Sequence, residues 1–153
     1  MIEKLNNKDS GVASRIRDVF QISYAVEAKL LKAKEFPPLK RTVAEFIDCD
    51  NGFYGFIADK FLAAVIEIKA DCESTHIQSL VVDPNFFRQG IGQKLLDFTF
   101  NTFNTILFTV ETGAENPPAI ALYEKNGFAL IDEWMTEIGI RKVRFEKRIT
   151  TTH

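Results

Sequence analysis

Apolar positions along the chain change their spacing several times, and each change marks an element. Val12, Ile16, Val19 and Phe20 recur at helical intervals, and the stripe runs on through Tyr24 to Leu30. This predicts a first helix, capped by Asp9 or Ser10. Pro37 and Pro38 deny the residue before them helical geometry, so the helix stops by Phe36. Thr42 is placed to cap a short second helix carrying Val43, Phe46 and Ile47, which closes at Asp50-Asn51-Gly52. Residues 53–58 and 61–68 are rich in β-branched and aromatic side chains around Asp59-Lys60, which reads as a hairpin. Residues 75–82 add the third strand of an antiparallel meander, and Met1 to Leu5 is expected to form a short edge strand.

Beyond that meander, strand and helix alternate. Leu80-Val81-Val82 runs into Asp83-Pro84, where a proline without an amide hydrogen must end the ladder. Ile91, Leu95 and Phe98 then fall at i, i+4 and i+7, with Leu96, Phe100 and Phe103 on the adjacent stripe, so a helix begins at the glycines Gly90 and Gly92. A strand at 105–111 and a helix at 117–126 follow, with Gly127 at the position that favours glycine after a helix. Two antiparallel strands at 130–137 and 141–149, joined at Gly139, complete the pattern. The whole predicts one domain over residues 1–153, an α/β fold in which a mixed sheet is flanked by helices. No internal repeat, low-complexity tract or linker divides it.

Composition narrows the function classes. At 153 residues and 46% hydrophobic, the chain can bury a substantial core without disulfides or metals. A net charge of −2 gives no reason to expect nucleic acid, whose binders usually carry a concentrated basic face, and the cluster Lys32, Lys34, Lys40 and Arg41 reads as solvated surface. Cys49 and Cys72 have neither C-x-x-C spacing nor histidine-rich surroundings, so reduced thiols are expected, with no metal site. The opening MIEKLNNKDS lacks the apolar core of a signal peptide, and no run approaches the roughly 18 apolar residues of a membrane span. A cytoplasmic protein without a membrane partner is the expectation.

The junction at Gly90 and Gly92 is where chemistry is most legible. A strand end, a glycine turn and a helix start present unpaired N–H groups and a positive dipole end, which suit a phosphate. Two common phosphate loops fail on spacing: a dinucleotide fingerprint needs a small residue where Leu95 stands, and Gly90-Ile91-Gly92-Gln93-Lys94-Leu95 is not a Walker loop. A bare Gly-X-Gly is equally compatible with a turn that only packs a helix on a strand.

Two longer matches extend that reading. The passage from Val82-Asp83-Pro84 through Phe87, Arg88, Gln89, Gly90, Ile91 and Gly92 resembles the pyrophosphate-binding motif of the GCN5-related N-acetyltransferases, Arg/Gln-x-x-Gly-x-Gly/Ala. Phe87 departs from it, standing where the family has Arg or Gln; the contacts there go largely to main-chain amides, so binding is expected to survive. Downstream, Asn116 to Phe128 fills every named position of the family pattern N-x-x-A-x-x-L-Y-x-x-x-G-F. The resemblance covers most of residues 53–147.

The resemblance implies a sheet that splays apart midway, leaving backbone groups free to pair with the pantetheine arm of acetyl-CoA as co-substrate. Leu80, Val81 and Val82 would line that arm, and the amides of Arg88, Gln89, Gly90, Ile91, Gly92 and Gln93, next to Phe87, would hold the pyrophosphate. Asn116 would contact the cofactor from the second motif. The Leu80 amide would face the thioester carbonyl, and Tyr123 would protonate the departing thiolate. Many relatives carry a glutamate base fourteen residues before the first motif glycine; here that position is His76, with Glu67, Glu73 and Gln78 as alternatives. The acceptor would be a primary amine of a small molecule, amino-acid derivative or peptide, and the protein a monomer or homodimer. A CoA-binding sensor of the same fold without catalysis is the runner-up, and a structural partner without a ligand is the third reading.

Overall fold

The computed structural model describes residues 1–149. Its elements are β1 (Ile2–Leu5), α1 (Ser10–Leu30), α2 (Val43–Asp48), β2 (Gly52–Ala58), β3 (Phe61–Ala70), β4 (Ser74–Val82), α3 (Ile91–Thr102), β5 (Leu107–Gly113), α4 (Pro117–Lys125), β6 (Ala129–Met135) and β7 (Arg141–Arg148). Local chemistry accounts for the boundaries. Asp9, rather than Ser10, caps α1 by accepting from the Val12 amide at 3.0 Å, and Thr42 and Glu45 close a reciprocal capping box on α2. Pro37–Lys40 forms a 3₁₀ turn between these helices. β5 starts two residues later than its hydrophobic pattern suggests and runs on to Gly113.

The seven strands lie in the order β1-β2-β3-β4-β5-β7-β6, and every neighbouring pair is antiparallel except β4 and β5. That parallel pairing is short: Ser74 to Ile77 matches Leu107 to Val110, and the register stops there. The sheet therefore forks midway, as the family resemblance implied. One residue into the fork, β4 carries a bulge. Glu67 pairs with Ser79 and Ile68 with Ile77, which leaves Gln78 without a partner in β3.

The bulge flips the facing of β4, so Ile77 packs on one face of the sheet and Val81 on the other. Each face has its own core. Ile66, Ile77, Leu95, Leu96, Phe108, Val110, Tyr123, Phe128 and Phe145 pack with α3 and α4. Leu5, Ile16, Phe20, Phe46, Phe53, Val65 and Val81 pack with α1 and α2. Cys49 and Cys72 carry free thiols. Among the described residues no helix is long and apolar enough to cross a membrane.

Candidate active site

The fork opens into a cavity of about 830 Å³. Its walls come from α1, from the segment before α2, from β4 and β5 just past their last pairing, from α4 and from the β6–β7 turn. Backbone direction follows from two bonds. The Asp83 amide donates to the Ala63 carbonyl of β3 at 2.8 Å, so by strand alternation the Leu80 and Val82 amides point the other way, into the fork. Val82 N–H meets the Ser23 hydroxyl of α1 at 3.3 Å. Val81 is turned from the fork: its side chain is buried in the α1 core and its backbone faces β3.

At the far end of β4, Asp83 accepts from the Asn85 amide at 2.9 Å and starts a 3₁₀ turn, Pro84–Phe86. The chain then passes through two left-handed residues, Arg88 at φ 65° and Gly90 at φ 72°. A side-chain-bearing residue held there costs about 1–2 kcal/mol, and alternating left- and right-handed residues of this kind turn successive amides toward one side ahead of α3, whose N-cap is Gly90. A Cβ added at Gly90 would meet nothing within 4 Å, whereas one at Gly92 would stand 3.3 Å from Leu122 Cδ2. Gly90 thus leaves open space in front of the helix, and Gly92 lets α3 approach α4. Ile91 is buried in the core and contributes only main chain. The Gln93 side chain is held by Asn126 and Asp97, while Phe87, Arg88 and Gln89 are exposed beside the loop.

Left-handed turns that expose amides before a helix N-terminus are of the kind that accept a diphosphate such as that of CoA. Asp tolerates left-handed geometry better than most residues, so Gly90→Asp should fold, yet it sets a negative charge where phosphate would lie. Calorimetry should show CoA affinity lowered at least tenfold, about 1.4 kcal/mol; unchanged affinity would move the diphosphate elsewhere.

Asn116 caps α4, its Oδ1 accepting from the Ala119 amide at 3.4 Å. Its Nδ2 donates to Glu27 of α1 at 3.2 Å, and Thr112 Oγ1 donates to the same oxygen at 3.4 Å. Burial raises the Glu27 pKa above the usual carboxylate value, against the opposing pull of Asn116, Thr112, Lys142 and the Gly113 amide. Tyr123 lines the cavity from α4. Its ring is buried against Phe128 and Phe145, with centroids 5.6 and 6.3 Å away. Burial, aided by Tyr24 and Glu27, raises its phenol above the ordinary value and keeps the proton on oxygen.

The structure brings Leu80, Asn116, Tyr123 and Gln78 to one cavity but not the other base candidates. His76 lies on the paired part of β4, where its Nδ1 is 2.7 Å from Thr109 Oγ1; burial lowers its pKa, and it is not part of the cavity lining. Glu67 is fully buried beneath α2, bonded to Arg41 at 2.7 and 3.0 Å, Asn51 at 2.8 Å and Ser79 at 3.1 Å. Burial alone would raise its pKa, but these partners outweigh it and hold the carboxyl below its usual value. Glu73 is exposed in the turn before β4.

Three residues matter that the pattern of the chain did not flag. Glu111 is the first β5 residue past the last β4 pairing; it lines the cavity and is held by Arg144 at 3.2 Å and Lys142 at 3.9 Å. The hydrophobic run ended its strand there, five residues before Asn116, and that was the available signal. Glu27 sat on the polar side of a helix. Arg41 is corrected from solvated surface to the partner of a buried carboxylate, whereas Lys32, Lys34 and Lys40 are exposed as expected. Among the described residues no group of three or more His, Cys, Asp or Glu could hold a metal ion.

Comparison with known proteins gives a consistent picture. The family model described as an acetyltransferase (GNAT) domain matches residues 46–130. The UPF0157 protein YqkA of Bacillus subtilis is 31% identical over 129 residues, covering 84% of this chain and 38% of that protein. The [ribosomal protein bS18]-alanine N-acetyltransferase of Salmonella typhimurium is 34% identical over 74 residues, 46% of this chain and 50% of that protein. The chain thus spans half or less of these curated relatives. Among solved structures, the ribosomal-protein-S18-alanine N-acetyltransferase of Escherichia coli superposes with a TM-score of 0.76 at 20% identity, covering 100% of this chain and 96% of that one. The PaiA N-acetyltransferase of Thermoplasma acidophilum, solved with coenzyme A, gives 0.77 at 19% identity, covering 97% and 98%. At those identities the structures bear on the fold alone.

Proposed function

Because the chain belongs to the GNAT acetyltransferase family, we propose that it transfers an acetyl group from acetyl-CoA to a primary amine by direct attack. The observation that carries this is the fork: the Leu80 and Val82 amides turn into the opening between β4 and β5, and Leu80 and Tyr123 line one cavity there. Acetyl-CoA supplies the activated thioester, and the protein's groups do the rest. The amides from Arg88 to Gln93 hold the diphosphate at the N-terminus of α3. Val82 exchanges its bond to Ser23 for one to the pantetheine arm. The Leu80 N–H donates to the carbonyl oxygen as negative charge gathers there, and Tyr123 donates to the departing sulfur.

An alkyl ammonium has a pKa of about 10.4, so near neutral pH a proton must leave before the nitrogen can attack. Glu111, at the base of the fork, is the carboxylate best placed to take it, directly or through one water. His76, held by Thr109 outside the cavity lining, is then dispensable. His76→Ala should keep both its rate and the acidic limb of kcat/KM; loss of that limb would restore His76 as the base.

Two relatives are alanine N-acetyltransferases by name, so a peptide beginning with alanine is the first acceptor to try beside a panel of small amines. The test is release of free thiol from acetyl-CoA over that panel. If CoA binds by calorimetry and no amine releases thiol, the protein is a CoA sensor; if CoA fails to bind, neither reading stands.

A further inference from the structure

An amine acceptor arrives from water as a cation. Four carboxylates line the cavity, Glu27, Glu45, Glu111 and Glu137; Glu45 and Glu137 are exposed, Glu111 is paired with Arg144 and Lys142, and Glu27 is half-buried with no cation in an ion pair with it among the described residues. Two side chains donate to Glu27, Asn116 Nδ2 and Thr112 Oγ1; both end on Oε1 and both are uncharged, as is the nearby Gly113 amide. Oε2 accepts no hydrogen bond among the described residues. No fully buried side-chain oxygen or nitrogen among them lacks a partner, so Oε2 is open, and the space Glu27 borders is the cavity.

The basic side chains of the same walls do not fill that role. Arg41 directs both terminal guanidinium nitrogens, Nη1 and Nη2, at Glu67, at 2.7 and 3.0 Å. Lys142 is 3.9 Å from Glu111, and Lys40 is exposed. No ion pair among the described residues includes Glu27. A half-buried charge whose hydrogen-bond partners are all neutral is costly; Lys142 offsets only part of that cost, and the carboxyl keeps a raised proton affinity. A cation brought to Oε2 removes the remaining cost.

Resting on the amine-acetyltransferase reading, we propose that Glu27 selects the acceptor: its carboxylate receives the acceptor's ammonium as it enters the cavity. The acceptors taken up are alkyl amines, charged at neutral pH, in preference to aromatic amines, which are neutral there. Asn116 and Thr112 aim the carboxylate by holding its other oxygen, which ties recognition on α1 to the loop that opens the second acetyltransferase motif. Uptake is binding alone; the proton leaves afterwards to the base at the fork.

The test compares the parent with Glu27→Gln, which keeps size and an acceptor oxygen for Asn116 and Thr112 but removes the charge. Alanylglycylglycine, putrescine and tyramine serve as cationic probes and aniline as the neutral one. KM for the cationic probes that are acetylated should rise about tenfold, equivalent to about 1.4 kcal/mol. The kcat, the KM for aniline and the KM for acetyl-CoA should stay near the parent's, and Glu27→Asp should recover part of the loss. Unchanged KM for the cationic amines, or an equal rise for aniline, overturns the selection by Glu27 and leaves the enzyme reading intact. If the parent acetylates no probe, the enzyme reading falls, and the same probes are titrated calorimetrically into the parent and variant complexes with CoA. Weaker binding of the cationic probes to Glu27→Gln then still supports the carboxylate site, and equal or absent binding in both overturns it. Glu27→Ala carries the same expectations should Glu27→Gln not fold.

Discussion

Tyr123→Phe should bind CoA as tightly as the parent and turn over roughly 10²–10⁴-fold more slowly, the range typical of a lost general acid. The substitution keeps the ring and its contacts with Phe128 and Phe145 and removes one oxygen at the cavity wall. Burial holds the phenol above its ordinary pKa, so the proton is present across the neutral range. Its release to a free thiolate, whose conjugate thiol has a pKa of about 8.5, is uphill in the resting protein. The hydroxyl therefore acts first as a hydrogen-bond donor to the sulfur and completes the transfer as negative charge builds there. Thiol release measured beside CoA calorimetry separates the step from binding. A variant that turns over like the parent would make Tyr123 a packing residue whose match to the family pattern reflects the core it sits in.

Arg41→Met should lower stability by about 3–5 kcal/mol, the usual consequence of leaving a buried charge without its partner. For a domain of this size that is a fall in Tm of roughly 6–20 °C. Glu67 is fully buried, and Arg41 supplies two of its hydrogen bonds while its guanidinium carbon lies 4.1 Å from the Phe46 ring centroid. Methionine retains the stacking bulk and loses the charge. The pH dependence follows from sign. In the parent the Glu67 pKa lies below the unfolded value of about 4.3, so the pair stabilises above that pH and the contribution is lost as pH falls through the lower folded value. In Arg41→Met burial, which raises the pKa, is opposed only by the uncharged donors Asn51 and Ser79, so the deficit is greatest near neutrality and shrinks in acid as Glu67 protonates. Adding Glu67→Gln should recover most of the loss in a double-mutant cycle. Equal melting of parent and Arg41→Met at pH 7 would mean that Asn51, Ser79 and Cys49, which also reach the carboxylate, suffice.

The same pair shows where the reading of the chain ran out. Arg41 stands among lysines in the sequence, and nothing local distinguishes a solvated arginine from one whose partner lies twenty-six residues away. His76 was reached by counting back from Gly90, a measure along the strand. Which way a side chain points is set by the bulge at Gln78 and by the neighbour across the sheet, and these gave His76 to Thr109. Glu111 and Glu27 meet the cavity only because β4 and β5 part after Ile77 and Val110 and α1 crosses the opening.

Elements and boundaries were legible because they depend on near neighbours: the helical stripe from Val12 to Leu30, the prolines that end it, the box of Thr42 and Glu45, and the glycines before α3. The two motifs were legible for the same reason, since a diphosphate cradle and a capped helix are built from consecutive residues. Charge pairing, the facing of strands and the choice of carboxylate at the fork depend on contacts between segments far apart in the chain. Those contacts are decided by how α1 and α2 pack over an opened sheet, so the tertiary structure alone assigns Glu27 and Glu111 to the cavity and Glu67 to the core.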